Sequence, residues 1–568
     1  MRRAKTDVLI LGAGGAGLFA ALHAKRAHPD LKVTIAVKGL LGKSGCTRMV
    51  QGGYNVALAE GDSVERHFMD TIEGGKWLPD QELAWTLVTK AIERIHELEN
   101  ELGCFFDRNP DGTVHQKAFA GQTFDRTVHK GDLTGIEIMN RLTEQVWVSG
   151  VDRLEEYRAV ELVKSSDGAV AGVVMIDMRE GEFVFVQAKS VLLATGGGPT
   201  MYRYHTPSGD KSCDGLAMAL RAGLTLRDME MVQFHPTGLL AGTGTRMTGT
   251  VLEEGLRGAG GYLLDANRER FMHKYDPRNE RATRDIVSRS MFAEMRAGNA
   301  TPNGGLYISM AHLGPDKVRA SFKGMVERCA DCGFDLAGGI VEVVPTAHYM
   351  MGGVEFDGDC TTSLTGLFAA GEDTGGVHGA NRLGGNGVAN STVFGAIAGD
   401  AMGKWTANEG EWREPQAGAL DDAQARASAP LSRPPGDLEA IREDLYRTMW
   451  EDAGIVRDAA SLARAQSSLQ EIRARLLATG IHGGDLRYNL TWHDWLNLAS
   501  LVDVSAAICT AAQARTDSRG AHFRGDHPET GDLAQSAFTR VKMEGGDLAV
   551  SWKPVQFTRV RPGQSLVA

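Results

Sequence analysis

Four short segments of this 568-residue chain set His, Arg and Glu among glycines. They are QFHPTGL with His235, LEEGLRGAGG with Glu253, Glu254 and Arg257, ATRDIVSRS with Arg284, and PTAHYMMGGV with the later HGANRLGGNG, which carry His348 and Arg382. Taken singly, each His can equally be a satisfied core residue. Together the segments bring more cations than a core leaves unpaired, and the natural partner of such a set is an anionic substrate.

The elements that must position these residues end in glycine. Residues 6–37, TDVLILGAGGAGLFAALHAKRAHPDLKVTIAV, predict strand, turn, helix and strand: the apolar run Val8 to Leu11 stops at glycine, and Leu18, Leu22 and Ala24 follow at helical spacing. The turn, Gly12, Ala13, Gly14, Gly15, Ala16 and Gly17, is a GxGxxG. Its first Gly permits the turn, its second lets a pyrophosphate approach the backbone, and its third lets helix and strand pack closely. After the second strand a nicotinamide-binding unit offers Asp or Glu to the ribose, whereas this chain offers Lys38, which argues against a plain NAD dehydrogenase. Two further glycine-rich strand ends, SVLLATGGG with Ala194, Thr195 and Gly196, and GLFAAGEDTGG with Glu372, point to one extended ligand, FAD.

Composition narrows the class without naming a function. Lys plus Arg number 61 against 72 Asp plus Glu, a net charge of −11, which makes a poor nucleic-acid binder. The length asks for more than one domain. The patterns place an FAD-binding domain at 1–235 and 346–415, a capping domain at 236–345, a helical domain at 436–540 and a tail at 541–568, with a surface linker over 416–436. This is an α/β fold: a Rossmann-like FAD-binding domain with an inserted α+β capping domain and a C-terminal helical domain. No apolar run stands out as a membrane span and the N-terminus does not resemble a signal peptide, so the expected location is cytoplasmic, with membrane contact only through partners. Seven irregularly spaced cysteines suit a reducing compartment. The one close pair, Cys329 and Cys332, lacks the second pair of a metal site and reads as a surface feature; no metal is expected.

The motifs LGAGGAG, QGG, FAGQ, ATGGG, HPTG, RGAGGYLL, PTAHYMMGG, AAGE, GANRLGGN and RTDSRGAH run through nearly the whole chain. In them the sequence resembles the flavoprotein subunits of succinate dehydrogenase and fumarate reductase, with L-aspartate oxidase as a close relative. The resemblance implies that His235, His348 and Arg382 bind substrate carboxylates, that Phe119 lies near the substrate, and that Glu254 feeds a proton relay to Arg284. Arg284 would exchange a proton with one substrate carbon while the flavin exchanges a hydride with its neighbour. An Arg serves this way only if burial beside other cations disfavours its charged form. The resemblance further implies that FAD is held by the glycine turn, Lys38, the loop Ser44, Gly45, Cys46 and Thr47, then Gln51, Gly52 and Gly53, and by Ala159, Asp214, Glu372, Arg382, Asn386, Gly387 and Val388.

Two positions depart from the family. Where the membrane-complex members carry a His bonded to the flavin, this chain has Cys46, so the FAD is expected to be noncovalent. Where the family usually has Thr before the relay Glu, this chain has Glu253, an acceptor-only group that would repel a carboxylate. Either Glu253 is protonated, or the substrate presents an amine, hydroxyl or amide there, or Glu253 points away; a substituted dicarboxylate is the expected better substrate. Three roles stay open: a catalytic subunit passing electrons to an iron–sulfur partner, a stand-alone oxidase of the L-aspartate type, and a non-catalytic flavin-binding scaffold.

Overall fold

The computed structural model describes residues 1–242 and 244–567. Its main sheet is built on strand Arg2–Leu11, which pairs in parallel with Val33–Val37 on one side and Glu182–Leu193 on the other. Strands Asp152–Glu155, Val170–Asp177 and Tyr157–Lys164 extend the sheet outward, and Leu367–Ala369 adds in parallel to Glu182–Leu193. Val8, Leu9, Ile10 and Leu11 are buried, as expected of a parallel strand covered on both faces. Helix Gly15–Ala27 follows it and packs against the long helix Asn386–Asn408. The turn between strand and helix needs glycine: Gly12 has φ +108°, and a Cβ there would fall 2.1 Å from the carbonyl oxygen of Ala194.

A second, antiparallel sheet runs in the order Val232–Leu239, Ile340–Met350, Leu306–Ser309, Tyr262–Leu264. The expected domain borders at 235/236 and 345/346 fall inside its first two strands, which pair His235 with Thr346. Cys329 packs in the apolar core of this region and Cys332 is half-buried, so the pair is not the surface feature expected. Helices Leu438–Glu451, Ala459–Ala478 and Leu490–Ala514 form the helical part. Asp437, Asp458 and Asn489 cap their N-termini. Leu490–Ala514 is long and apolar enough to cross a membrane, contrary to expectation, and 72% of its apolar window is buried within the fold. Its polar residues, among them Asn497 and Asp503, interrupt the run in sequence without breaking the helix.

The stretch expected as a surface linker is partly structured. Ala419–Ser428 is a helix that buries Ala423 and Ala427, with Asp421 and Asp422 in its first turn. The C-terminal hairpin Ala537–Glu544 and Asp547–Pro554 joins Leu226–Arg227 and Gly353–Val354 in one sheet, so the border expected at 540/541 lies within a strand.

Candidate active site

One cavity of about 590 Å³ is lined by the glycine turn and by every residue of the substrate set. Lys38, Ala159 and Asp214 line one part of it; Phe119, His235, Glu253, Glu254, Arg284, His348 and Arg382 line another. All the expected cofactor residues form its wall except Gly17 and Asn386. Gly17 lies behind the turn, where a Cβ would fall 1.9 Å from the Gly12 carbonyl oxygen. Asn386 is fully buried and spends its amide on Thr71, Asn55 and His67, tying its loop to the scaffold.

The glycine turn suits an extended nucleotide. Gly14 begins helix Gly15–Ala27 without a side-chain cap, and the Gly15 N–H donates to Thr47 at 3.1 Å. Glu372 accepts from the backbone N–H groups of Met350 and Gly198 through one oxygen, at 3.0 and 3.2 Å, leaving the other for a ligand hydroxyl. Burial pushes its carboxyl up to about 7. Lys38 lines the wall, but its ammonium donates to Asp214, Ser212 and Asn497, so it holds Asp214 and has no donor left for a ligand. Arg158 grips the other oxygen of Asp214 at 2.8 Å. Burial drives the Cys46 thiol up to about 12, with Glu372 adding to the effect, so Cys46 is no thiolate nucleophile at neutral pH.

The substrate set is built around one carboxylate. Arg284, at the start of helix Arg284–Glu294, donates from Nε to Glu254 Oε2 at 3.0 Å and from Nη1 to Gln233 Oε1 at 3.0 Å. Arg257 donates to the other oxygen of Glu254 at 3.2 Å. Burial alone would raise the Glu254 carboxyl, but Arg284 and Arg257 outweigh it and hold the group below its usual range. Gly384 passes so close that a Cβ would fall 2.3 Å from Glu254 Oε2 and 2.7 Å from Phe119. Any side chain there would drive into the relay.

His235 and His348 face each other with ring centroids 5.3 Å apart. Burial, then Arg284, pushes both imidazoles well below their ordinary pKa, so both are neutral. His235 Nδ1 accepts the Thr237 N–H at 3.3 Å, which leaves the proton on Nε2. His348 Nδ1 shares a 2.8 Å hydrogen bond with Thr206. Arg382 lies 4.4 Å over the Tyr349 ring, and its buried Nε has no partner among the described residues. Arg257, Arg284 and Arg382 face the single carboxylate Glu254, a positive surplus that asks for an anion.

Glu253 lines the same cavity, 3% exposed, and forms an ion pair with Lys117. Sequence reasoning missed Lys117 and Gln233. Each stands two positions before a residue it did single out, Phe119 and His235.

The FAD binding domain family matches residues 7–388, and the fumarate reductase flavoprotein C-terminal family matches residues 442–566. A fumarate reductase (CoM/CoB) protein of Methanothermobacter marburgensis is 39% identical, covering 92% of this chain and 95% of that protein. The fumarate reductase flavoprotein subunit of Escherichia coli is 36% identical, over 93% and 89% of the two chains. A solved E. coli quinol fumarate reductase variant superposes with a TM-score of 0.93 at 33% identity, covering 99% of each chain. An adenosine-5-phosphosulfate reductase, 19% identical with a TM-score of 0.78, shares the fold.

Proposed function

The chain belongs to the succinate dehydrogenase and fumarate reductase flavoprotein family and is an FAD-dependent oxidoreductase of that type, and from this premise we propose that it interconverts a C4 dicarboxylate and its unsaturated form. The observation that carries the reading is the surplus of guanidinium charge around Glu254, in the same cavity as the glycine turn. FAD, when bound, supplies hydride exchange with one substrate carbon. The chain's own residues do the rest. His235 Nε2 and the free Arg382 Nε donate to substrate carboxylates, polarising them as charge builds on the carbon skeleton. Arg284, fixed by Glu254 and Gln233, exchanges a proton with the neighbouring carbon. Arg257 and Glu254 restore that proton through their shared hydrogen bonds. In the reducing direction, one hydride and one proton add across the C–C double bond to give the saturated acid.

We place Asp214 and Glu372 along the FAD, and read the cofactor as noncovalent because Cys46 stands as a neutral thiol where the family's linking His would be. Acid precipitation is expected to release the flavin into the supernatant; yellow colour retained on the denatured chain would make Cys46 the attachment point. An iron–sulfur protein is the proposed electron partner, on the strength of relatives whose names call them flavoprotein subunits, with a cytoplasmic chain reaching a membrane only through partners. A stand-alone oxidase of the L-aspartate type is the second reading, favoured by the acceptor Glu253 on the cavity wall. Turnover of the purified chain decides between them. Fumarate reduction with a reduced dye, or succinate oxidation with an oxidised one, and no oxygen uptake with aspartate, are expected. Aspartate-dependent oxygen uptake would establish the second reading.

A further inference from the structure

The wall that carries Glu253 poses a problem that the proposed reaction does not answer. A dianionic substrate must share the cavity with a carboxylate that is 3% exposed and stands one residue from the relay Glu254. Lys117 meets it there. Its ammonium pairs with Glu253 Oε1, donates to the Gly131 carbonyl at 3.2 Å and lies 5.9 Å from the centre of the Phe119 ring. Lys117 itself is not part of the cavity wall, so it reaches Glu253 from behind the surface a substrate would touch.

Resting on the dicarboxylate reading above, we infer that Lys117 is a specificity-determining positioning residue: by cancelling the charge of Glu253 it keeps the cavity open to a plain dicarboxylate. Without it, Glu253 is left with no ion pair among the described residues and repels a carboxylate and attracts an ammonium. Lys117 would thus set which of two substrate classes, plain or amino-substituted C4 diacids, the same wall accepts. On this inference the pair presents no net charge, so Glu253 need not turn plain diacids away.

The charged groups around Glu253 make its protonation a readout. Lys117 faces it from the segment before Phe119, Asp132 from the loop after His129, and Arg328 from the helix Lys323–Asp331; Glu254 and Arg257 follow it in the chain. Burial pushes the Glu253 carboxyl up and Lys117 pulls it back. Behind Lys117, His129 is held down to about 4 by burial and by Lys117 itself, and shares a 2.6 Å hydrogen bond with His115. Removing Lys117 lets the Glu253 carboxyl rise further, so that acid protonates it and relieves the repulsion.

The test uses the FAD-loaded full chain with a dye as electron partner. Lys117→Met is expected to raise KM for fumarate or succinate by roughly 10- to 100-fold with a smaller change in kcat, the size set by one uncompensated charge several Å from a carboxylate. With fumarate, whose two carboxyls stay ionised from about pH 8 to about pH 6, that KM should fall as the pH drops across the range. Lys117→Arg should restore the wild-type KM. The double variant Lys117→Met with Glu253→Thr should also restore it, and Lys117→Met alone should gain on the amino-substituted diacid. An unchanged KM in Lys117→Met, or a KM that neither the double variant nor acid recovers, overturns the inference. Absence of any turnover of plain diacids by the wild-type chain would instead overturn the reading on which it rests.

Discussion

Lys38 and Arg158, beside Ala159 in the cavity, both close on Asp214, whereas Arg257, Arg284 and Arg382 share the one carboxylate of Glu254. Around Asp214 the ammonium spends all three donors within the chain, and the guanidinium finishes on Asp214, Asn497 and the His493 carbonyl. Around Glu254 a buried guanidinium nitrogen stays without a partner among the described residues and two neutral imidazoles stand beside the cations. The contrast separates charge used as scaffold from charge kept for a ligand. A self-satisfied network positions backbone and tolerates an apolar or hydroxylated neighbour; an unsatisfied one is held ready by folding and completed by an anion.

The most severe way to break this contrast is at its unsatisfied part. Arg284→Lys keeps a cation but loses the planar fork that meets both Glu254 and Gln233, so turnover should fall by roughly a thousandfold or more while FAD stays bound. Near-normal turnover with a normal flavin spectrum would remove Arg284 from the chemistry. Asp214→Ala attacks the satisfied part instead. It leaves Lys38 and Arg158 without their carboxylate, and should cost about 3 kcal/mol of stability and weaken FAD retention, with kcat of the loaded fraction little changed. A denaturant titration and flavin content read this directly; a loss of kcat with full stability would reverse the assignment of the two regions.

Acid sharpens the comparison further. His235 and His348 have folded pKa values well below the ordinary one, so the unfolded chain binds protons that the folded chain refuses. Their contribution is complete above about pH 6.5 and falls away as the pH drops below it. Glu254 has the same sign at lower pH: its depressed folded value means that its share is intact above about pH 4.3 and lost only below it. Thermal unfolding should therefore weaken between pH 7 and pH 5.5 in the apoprotein, and a double His235→Asn, His348→Asn variant should flatten that slope. The smallest expected effect is Glu253→Thr: freed of its partner, Lys117 adds a positive charge near the cavity, and KM for a plain diacid should fall a few-fold. A rise would mean that Glu253 itself binds the substrate.

The parts of this arrangement that could be read in the sequence are those whose physics is local. The GxGxxG turn announces itself because Gly12 must adopt a positive φ between a strand and a helix that lie next to it in the chain. His235, Arg284, His348 and Arg382 stood out as basic residue types set among glycines, and the cavity brings them together. The ion pair between Glu253 and Lys117 could not be read, since 136 positions separate its members and no local pattern links them. Asn386 misled for a related reason: it adjoins cavity residues in sequence, but its amide turns toward Thr71, Asn55 and His67, which come from other segments. The borders drawn at 235/236 and 345/346 fell inside strands because pairing between Val232–Leu239 and Ile340–Met350 crosses the chain's own division by composition. The helix Ala419–Ser428 carried a legible signal, alanines behind a first turn with two Asp residues, that Ser and Pro in the same stretch obscured.

The first strand waits for its neighbour. Arg2–Leu11 pairs on one side with Val33–Val37, made within a few seconds, and on the other with Glu182–Leu193, which at roughly 5–20 residues per second leaves the ribosome roughly 10–30 s later. The carbonyl of Ala194, against which Gly12 closes, arrives with it, and Glu372 and Gly387 come later still. A nascent chain therefore carries an exposed apolar strand edge until Glu182–Leu193 has emerged, and a nucleotide has no finished cradle to enter until the helix beginning at Asn386 has followed. Cofactor supply during expression should then govern yield at a late step: flavin limitation is expected to enrich full-length aggregated chains, with truncated soluble ones remaining a minor product.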